Sequence, residues 1–176
     1  MIELTYDINN YRNKLKEIIK KNDTVVEIGC HVGGTSKVIL DSLNDGKLIA
    51  IDKSPESLSK MNEIKRNYKN LEFLKGDVRL HETLTEVFKK LEKCDLLLID
   101  MGGGYHPDTV FKVFYIWSAT LKPEKTLIRN RGIVEFFNSS KTNETYKSNK
   151  GYLESYKDEG IPPQIKEFNL WTSKLK

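Results

Sequence analysis

The sequence lacks the features that mark secreted proteins, membrane proteins and basic nucleic-acid-binding arms. It has two cysteines, Cys30 and Cys94, and no apolar leader, so we expect free thiols in a reducing compartment, the cytoplasm. No run approaches the roughly 20 apolar residues that a membrane helix requires. The net charge of +4 is spread along the 176 residues without a dense basic block, which leaves the partner open. A chain of this length is expected to form one domain, over 1–176.

What the chain does contain is an alternation of helical and strand-like patterns. Residues 6–21 place apolar side chains three and four positions apart, which predicts an N-terminal covering helix. The β-branched run at 24–28 predicts a strand that is buried on both faces. The later pattern predicts helices over 33–43, 55–68, 80–91 and 108–121, and strands over 47–52, 71–74, 95–100 and 126–129.

This order of elements predicts an α/β fold of the Rossmann-like, three-layer type, with a mostly parallel sheet and helices on both faces. Ligands bind such sheets at the carboxyl ends of the strands. We therefore divide the chain into the covering helix at 6–21, a cofactor half at 22–100 and an acceptor half at 101–176. After residue 133 the pattern weakens, and it predicts a loop over 138–143, a helix over 146–157 and a last strand over 164–171.

An acidic residue and a glycine-rich turn end the first predicted strand, in the run Glu27-Ile28-Gly29-Cys30-His31-Val32-Gly33. Glycines let a ligand approach the backbone closely, and the amides that open the next helix form an anion site. The run resembles the first motif, acid-x-Gly-x-Gly-x-Gly, of the class I S-adenosylmethionine-dependent methyltransferases, nearest to small O-methyltransferase-like members. His31 stands where the middle glycine usually lies. The resemblance implies that Glu27 pairs with the ammonium of the cofactor, S-adenosylmethionine, and that Gly29, Cys30, His31 and Gly33 surround it.

Carboxylates also end the second and third predicted strands. Asp52 stands where a Rossmann-type site needs an acceptor for the ribose hydroxyls, and Lys53 beside it could line the adenosine pocket. The alternative is that Asp52 caps the next helix. Asp77 and Val78 resemble the methyltransferase segment that meets the adenine ring, although Gly-Asp is also a common turn pair. We therefore predict that all four residues bind the cofactor.

The fourth predicted strand ends at Ile99-Asp100 and runs into a loop with three glycines and the pair Tyr105-His106. With the Leu121-Lys122-Pro123 turn, these pieces resemble a methyltransferase group, and the resemblance covers about residues 20–131. His106 is a candidate for proton transfer, because histidine exchanges protons near neutral pH. The alternative is an ordinary loop histidine. Asp100 is the second catalytic candidate and a further predicted contact of the cofactor.

Two arginines, Arg129 and Arg131, follow the fifth predicted strand on the ligand side of the sheet. Fixed positive charges suit a carboxylate or phosphate, and Tyr105 can stack on a planar group, so we predict that these three residues bind the methyl acceptor. Metal-dependent O-methyltransferases carry Asp-Asn near this position, whereas this chain has Arg129-Asn130. The resemblance therefore disfavours a metal ion.

The expected function is methyl transfer from S-adenosylmethionine to a small anionic acceptor, without a membrane partner. The sequence leaves open an RNA or protein acceptor. A cofactor-binding protein without turnover is a further alternative, because the chain has no Asn-Pro-Pro-Tyr motif and no separate substrate domain. An NAD-dependent dehydrogenase also uses a glycine-rich first turn, but its Gly-x-Gly-x-x-Gly pattern places its second glycine at His31 and leaves Glu27 unexplained.

Overall fold

A six-stranded parallel sheet forms the centre of the computed structural model, which describes residues 1–156. The strands are β1 (Ile2–Thr5), β2 (Thr24–Ile28), β3 (Lys47–Asp52), β4 (Leu71–Lys75), β5 (Leu96–Ile99) and β6 (Lys125–Arg129). They are ordered β1-β6-β5-β2-β3-β4, and every neighbouring pair is parallel. The helices are α1 (Ile8–Ile18), α2 (Gly34–Ser42), α3 (Pro55–Lys65), α4 (His81–Lys90), α5 (Pro107–Leu121) and α6 (Arg131–Ser139).

Two apolar layers separate the sheet from its helices. Side chains alternate between the faces of a strand, so Val25 packs into one layer and Val26 into the other. The first layer also contains Tyr11 of α1, together with buried residues of α2 and α3, whereas the second contains Trp117 of α5 and buried residues of α4. Helices thus cover both faces, and the predicted Rossmann-like, three-layer fold is confirmed. None of the helices within 1–156 is long and apolar enough to span a membrane.

Two elements differ from the sequence-based predictions at the edge of the sheet. Strand β1 was not predicted, and it pairs in parallel with β6, with Ile2 opposite Thr126. The covering helix is correspondingly shorter than 6–21, because Asp7 caps α1 by accepting from the amides of Asn9 and Asn10. Helix α6 was not predicted either. It begins after Asn130, whose side chain accepts from the amide of Ile133.

The predicted helix over 146–157 is wrong within the described residues. Residues 146–153 form irregular backbone with bends, and a 3-10 turn follows at Glu154–Tyr156. The predicted strand over 164–171 lies outside the described residues. The division into a cofactor half and an acceptor half stays a prediction.

Candidate functional site

A cleft of about 970 Å³ opens at the carboxyl edge of the sheet, between the loops that follow β2 to β6. Its volume lies in the range of cofactor and ligand pockets, and its place is where open parallel sheets bind ligands. The cleft is lined by eleven of the predicted site residues: Gly29, Cys30, His31, Asp52, Lys53, Asp77, Val78, Asp100, Tyr105, His106 and Arg129. Glu27, Gly33 and Arg131 do not line it.

The glycines of the first loop are required by close packing of the protein itself. Gly29 has φ of +87°, and a Cβ added to it would lie 2.1 Å from the carbonyl oxygen of Asp100. Gly33 has φ of +78°, and its added Cβ would lie 2.2 Å from Cδ1 of Ile64. His31 adopts φ of +48° without glycine's freedom. These glycines therefore let β5 and α3 approach the loop, and Gly29 also lines the cleft.

Asp52 joins the first loop to the end of β3. Its Oδ2 accepts from the backbone amide of His31 at 2.8 Å, and its Oδ1 accepts from the amide of Ser54 at 2.7 Å. The second contact closes a turn just before α3, whose N-cap residue is Ser54, so Asp52 does not take the helix-capping role that was its alternative. An ionised carboxylate has about four lone-pair sites, so the two amides leave capacity for further donors. Asp52 can therefore hold the loop in place and at the same time accept a hydrogen bond from a ligand.

Asp77 is engaged by two cations at the adenine end of the predicted site. Arg79 donates to both of its oxygens, with Nη2 2.7 Å from Oδ2, and Lys53 Nζ lies 3.3 Å from Oδ2. Burial raises the pKa of Asp77, but the hydrogen bonds and charges of Arg79 and Lys53 outweigh burial and lower the pKa to about 2. The carboxylate is therefore ionised at neutral pH. The next residue is held by Trp117, whose Nε1 donates to the carbonyl of Val78 at 2.9 Å.

Glu27 lies away from the cleft lining. Its side chain is buried behind the glycine loop, and Ser36 Oγ on α2 donates to its Oε2 at 2.5 Å. Burial raises the pKa of Glu27 to about 8, the Ser36 hydrogen bond opposes this, and the negative charges of Asp100 and Asp52 raise it further. Glu27 does not line the cleft, and the pairing with the cofactor's ammonium that the resemblance implied stays a prediction. Glu27 connects β2 to α2.

Asp100 and Arg129 form an ion pair across the ends of β5 and β6. Arg129 Nε donates to Asp100 Oδ1 at 2.7 Å, and Nη2 lies 2.6 Å from the same oxygen. The two side chains are only 16% and 14% exposed. Burial raises the pKa of Asp100, while the hydrogen bond and charge of Arg129 oppose that rise. The charge of Arg129 is therefore already balanced within the protein.

Arg12 is a cleft residue that the sequence analysis missed. It lies on α1, and its Nε donates to Thr35 Oγ1 at 3.2 Å at the start of α2. It lines the cleft. Its positive charge partly opposes the rise in pKa that burial causes at Glu27 and Asp100. The covering helix contains several other basic side chains, so no sequence signal separated Arg12 from solvated lysines.

The loop after β5 has an unusual backbone. Gly102, Gly103, Gly104 and His106 all have positive φ, and His106 precedes α5 in the left-handed region at φ of +58°. This loop places Tyr105 and His106 at the cleft, where Tyr105 is 57% exposed. Within residues 1–156, no group of three or more His, Cys, Asp or Glu side chains is arranged to hold a metal ion.

Known proteins are similar to this chain over much of its length. A family model described as FtsJ-like methyltransferase matches residues 8–156. The ribosomal RNA large subunit methyltransferase E of Methanocella arvoryzae is 33% identical over 88 residues, which are 50% of this chain and 31% of that protein. The protein of the same description from Methanococcoides burtonii is 26% identical over 133 residues, 71% of this chain and 46% of that protein. The matched segments span less than half the length of these two relatives.

Solved structures share the fold at low sequence identity. The Methanococcus jannaschii fibrillarin pre-rRNA processing protein superposes with a TM-score of 0.54 at 17% identity, over 68% of this chain and 53% of that chain. NSun6 from Pyrococcus horikoshii superposes with a TM-score of 0.52 at 22% identity, over 78% of this chain and 43% of that chain. The predicted family and cofactor class are confirmed, and a nicotinamide dehydrogenase is not supported. The chain belongs to the FtsJ-like methyltransferase family, within the class I S-adenosylmethionine-dependent methyltransferases.

Proposed function

We propose that this protein transfers a methyl group from S-adenosylmethionine to RNA. The observation that carries the proposal is one cleft that combines the cofactor-type loop of β2, the carboxylate Asp52 and the half-buried Asp100–Arg129 pair. The two relatives described above are named as ribosomal RNA large subunit methyltransferases, which favours RNA as the acceptor.

The structure weakens the case for a small anionic acceptor. That expectation rested on two free arginine charges after β6. Arg129 is paired with Asp100, and Arg131 lies outside the cleft lining, against the rings of Tyr6 and Tyr105. Neither guanidinium therefore offers an unbalanced charge at the floor of the cleft. An acceptor recognised partly by stacking on an exposed aromatic ring fits these positions better, and a nucleotide is such an acceptor.

The residues at the carboxyl edge fit S-adenosylmethionine. We assign Asp52 to the ribose hydroxyls, because its carboxylate keeps lone pairs after accepting from two amides. Asp77 and Val78 stand at the adenine end, and the backbone amides that open α2 suit the carboxylate of the methionine part. The bound cofactor supplies a methyl group that its sulfonium has already activated.

The remaining task of the protein is to align the acceptor and to receive its proton. Asp100 is our candidate for both, because Arg129 contacts Oδ1 by two nitrogens and neither contact uses Oδ2. The raised pKa of Asp100, which burial causes, makes this carboxylate a better proton acceptor than an exposed one. Holding the acceptor in line contributes more to such a transfer than acid–base chemistry does. His106 is the second candidate, at the rim of the same cleft.

Calorimetry with S-adenosylmethionine tests the cofactor site. Asp52→Ala should weaken binding roughly tenfold to a hundredfold, because a hydrogen bond to a charged group contributes roughly 1.5 to 3 kcal/mol. Asp52→Asn keeps one acceptor oxygen for the loop and removes the charge, so it tests binding if the alanine variant folds poorly. Asp45→Ala, at an exposed carboxylate outside the cleft lining, is the matched control. Unchanged affinity in a folded Asp52 variant would contradict the assignment.

Transfer of a tritiated methyl group tests the acceptor class. The purified protein should label unmodified ribosomal RNA transcripts, and ribonuclease should release the label. Parallel reactions contain unfolded protein substrates or small carboxylic acids. Label in either of these and none in RNA would overturn the RNA proposal, and cofactor binding with no transfer to any of them would identify a binding protein without turnover.

A further inference from the structure

Arg131 lies beside two tyrosine rings, of which that of Tyr105 lines the cleft. Its Cζ is 5.1 Å from the ring centroid of Tyr105 and 5.4 Å from that of Tyr6. Its Nη1 donates to the hydroxyl of Tyr105 at 3.0 Å. Both tyrosines remain accessible, Tyr105 at 57% and Tyr6 at 42% exposure. We call these three residues the tyrosine platform.

The platform is held in place by groups beneath it. Asn130 is fully buried, and its Nδ2 donates to the carbonyl of Tyr105 at 2.8 Å. The same side chain caps α6, which carries Arg131, by accepting from Ile133. On the other side, the hydroxyl of Tyr6 donates to Glu135 Oε1 of α6 at 3.0 Å. The end of β1, the loop after β5 and the start of α6 are therefore tied together, so a ligand that meets the rings does not have to order them.

The platform adjoins the predicted chemical centre. A Cβ added to Gly104 would lie 3.8 Å from Cζ of Arg129 and 3.8 Å from Cγ of Arg131, so one glycine separates the two arginines. Arg129 holds Asp100, and Tyr105 lines the same cleft as Asp100. A base stacked on Tyr105 would therefore lie close to Asp100, our candidate for the residue that receives the acceptor's proton.

We propose that the tyrosine platform stacks an unpaired base of the RNA substrate, so that the enzyme acts on a nucleotide in a single-stranded or looped segment. The inference rests on the proposed RNA methyltransferase function. Bases within a duplex are already stacked on both faces, and only a splayed or single-stranded base presents a free face to an aromatic side chain. The adjacent guanidinium strengthens stacking by its own planar, cationic surface.

The test uses a short RNA with one central 2-aminopurine, whose fluorescence falls when the base stacks. The same strand annealed to its complement is the paired form. Binding of the single strand should quench the signal, and the duplex should bind more weakly. Tyr105→Leu should lose the quenching and weaken single-strand binding roughly 5- to 100-fold, as aromatic stacking on a base predicts. Tyr105→Phe keeps the ring and should restore most of the quenching.

Two further measurements separate this inference from its alternatives. Tyr146→Leu removes a 93% exposed tyrosine outside the cleft lining and is the matched control for nonspecific stacking. In the methyl-transfer assay, Tyr105→Leu should raise KM for RNA far more than it changes calorimetric affinity for S-adenosylmethionine. Equal quenching by wild type and Tyr105→Leu, or equal binding of duplex and single strand, would overturn the stacking role of the platform. The proposed function would still stand in that case if the wild type labels RNA. If the wild type labels no RNA at all, the proposed function itself fails.

Discussion

Glu27→Gln should remove much of the pH dependence of stability between mildly acidic and mildly alkaline conditions. Burial, with the neighbouring charges of Asp100 and Asp52, raises the pKa of Glu27 from 4.5 to about 8, against the hydrogen bond from Ser36. The unfolded chain releases this proton above about pH 4.5, whereas the folded protein retains it to about pH 8. The free energy of unfolding therefore falls as pH rises through this interval.

The size of the effect follows from the two pKa values. At about 1.36 kcal/mol per pKa unit, keeping an ionised Glu27 in the fold costs about 5 kcal/mol relative to the unfolded chain once the pH exceeds both values. Between about pH 5.5 and about pH 8.5, the wild type should lose roughly 3 kcal/mol through this group. Glutamine has a similar shape and can still hydrogen-bond Ser36, but it has no proton to release.

Urea unfolding curves at several pH values measure this difference. The comparison of wild type with Glu27→Gln cancels every other titrating group that the two proteins share. Glu92→Gln, at an exposed glutamate, is the matched control and should follow the wild type. If the curves for wild type and Glu27→Gln run parallel across this pH range, Glu27 is not held protonated and the argument from its burial is refuted.

Two more substitutions test the loop and the ion pair. Gly29→Ala should lower the free energy of unfolding by several kcal/mol in urea titrations, because it combines a left-handed backbone with a 2.1 Å clash. Gly103 has a similar φ of +65°, but a Cβ added to it would meet no neighbour nearer than 3.9 Å. Gly103→Ala should therefore lower the free energy of unfolding by only roughly 1–2 kcal/mol. A Gly103→Ala loss as large as that of Gly29→Ala would show that the clash is unimportant. Arg129→Ala should lower kcat/KM for the RNA acceptor and also stability, because Asp100 loses its partner, whereas Arg129→Lys should lose less of both. Cofactor affinity falling as steeply as acceptor turnover would instead place Arg129 in the cofactor site.

The positions of most elements could be predicted from local patterns. The short apolar runs at β2, β3 and β5 and the three-to-four spacing of α1 are properties of neighbouring residues, so one sequence suffices to find them. In a parallel sheet, residues that end different strands meet at one edge, which is why Asp52, Asp77 and Asp100 could be placed in a common cleft before the structure was known.

Other features depend on contacts between distant parts of the chain. Ile2–Thr5 lacks the continuous apolar run that indicated β3 and β5, and it forms a strand because β6 offers a free edge opposite Ile2 at Thr126. Asn130 acts as a cap and a tether only because α6 and the Tyr105 loop meet there. Arg12 joins the site from a helix whose basic residues look alike in sequence.

The sequence alone determined the order of the elements from α1 to β6, the fold class and the edge at which the site lies, because hydrophobic periodicity and strand ends are local properties. Only the tertiary structure decided what each charged side chain does there. It turned Glu27 inward onto Ser36, and it joined Arg129 to Asp100 across two neighbouring strands. Charge pairing and burial depend on which strands and helices become neighbours in space, and local sequence patterns do not contain that information.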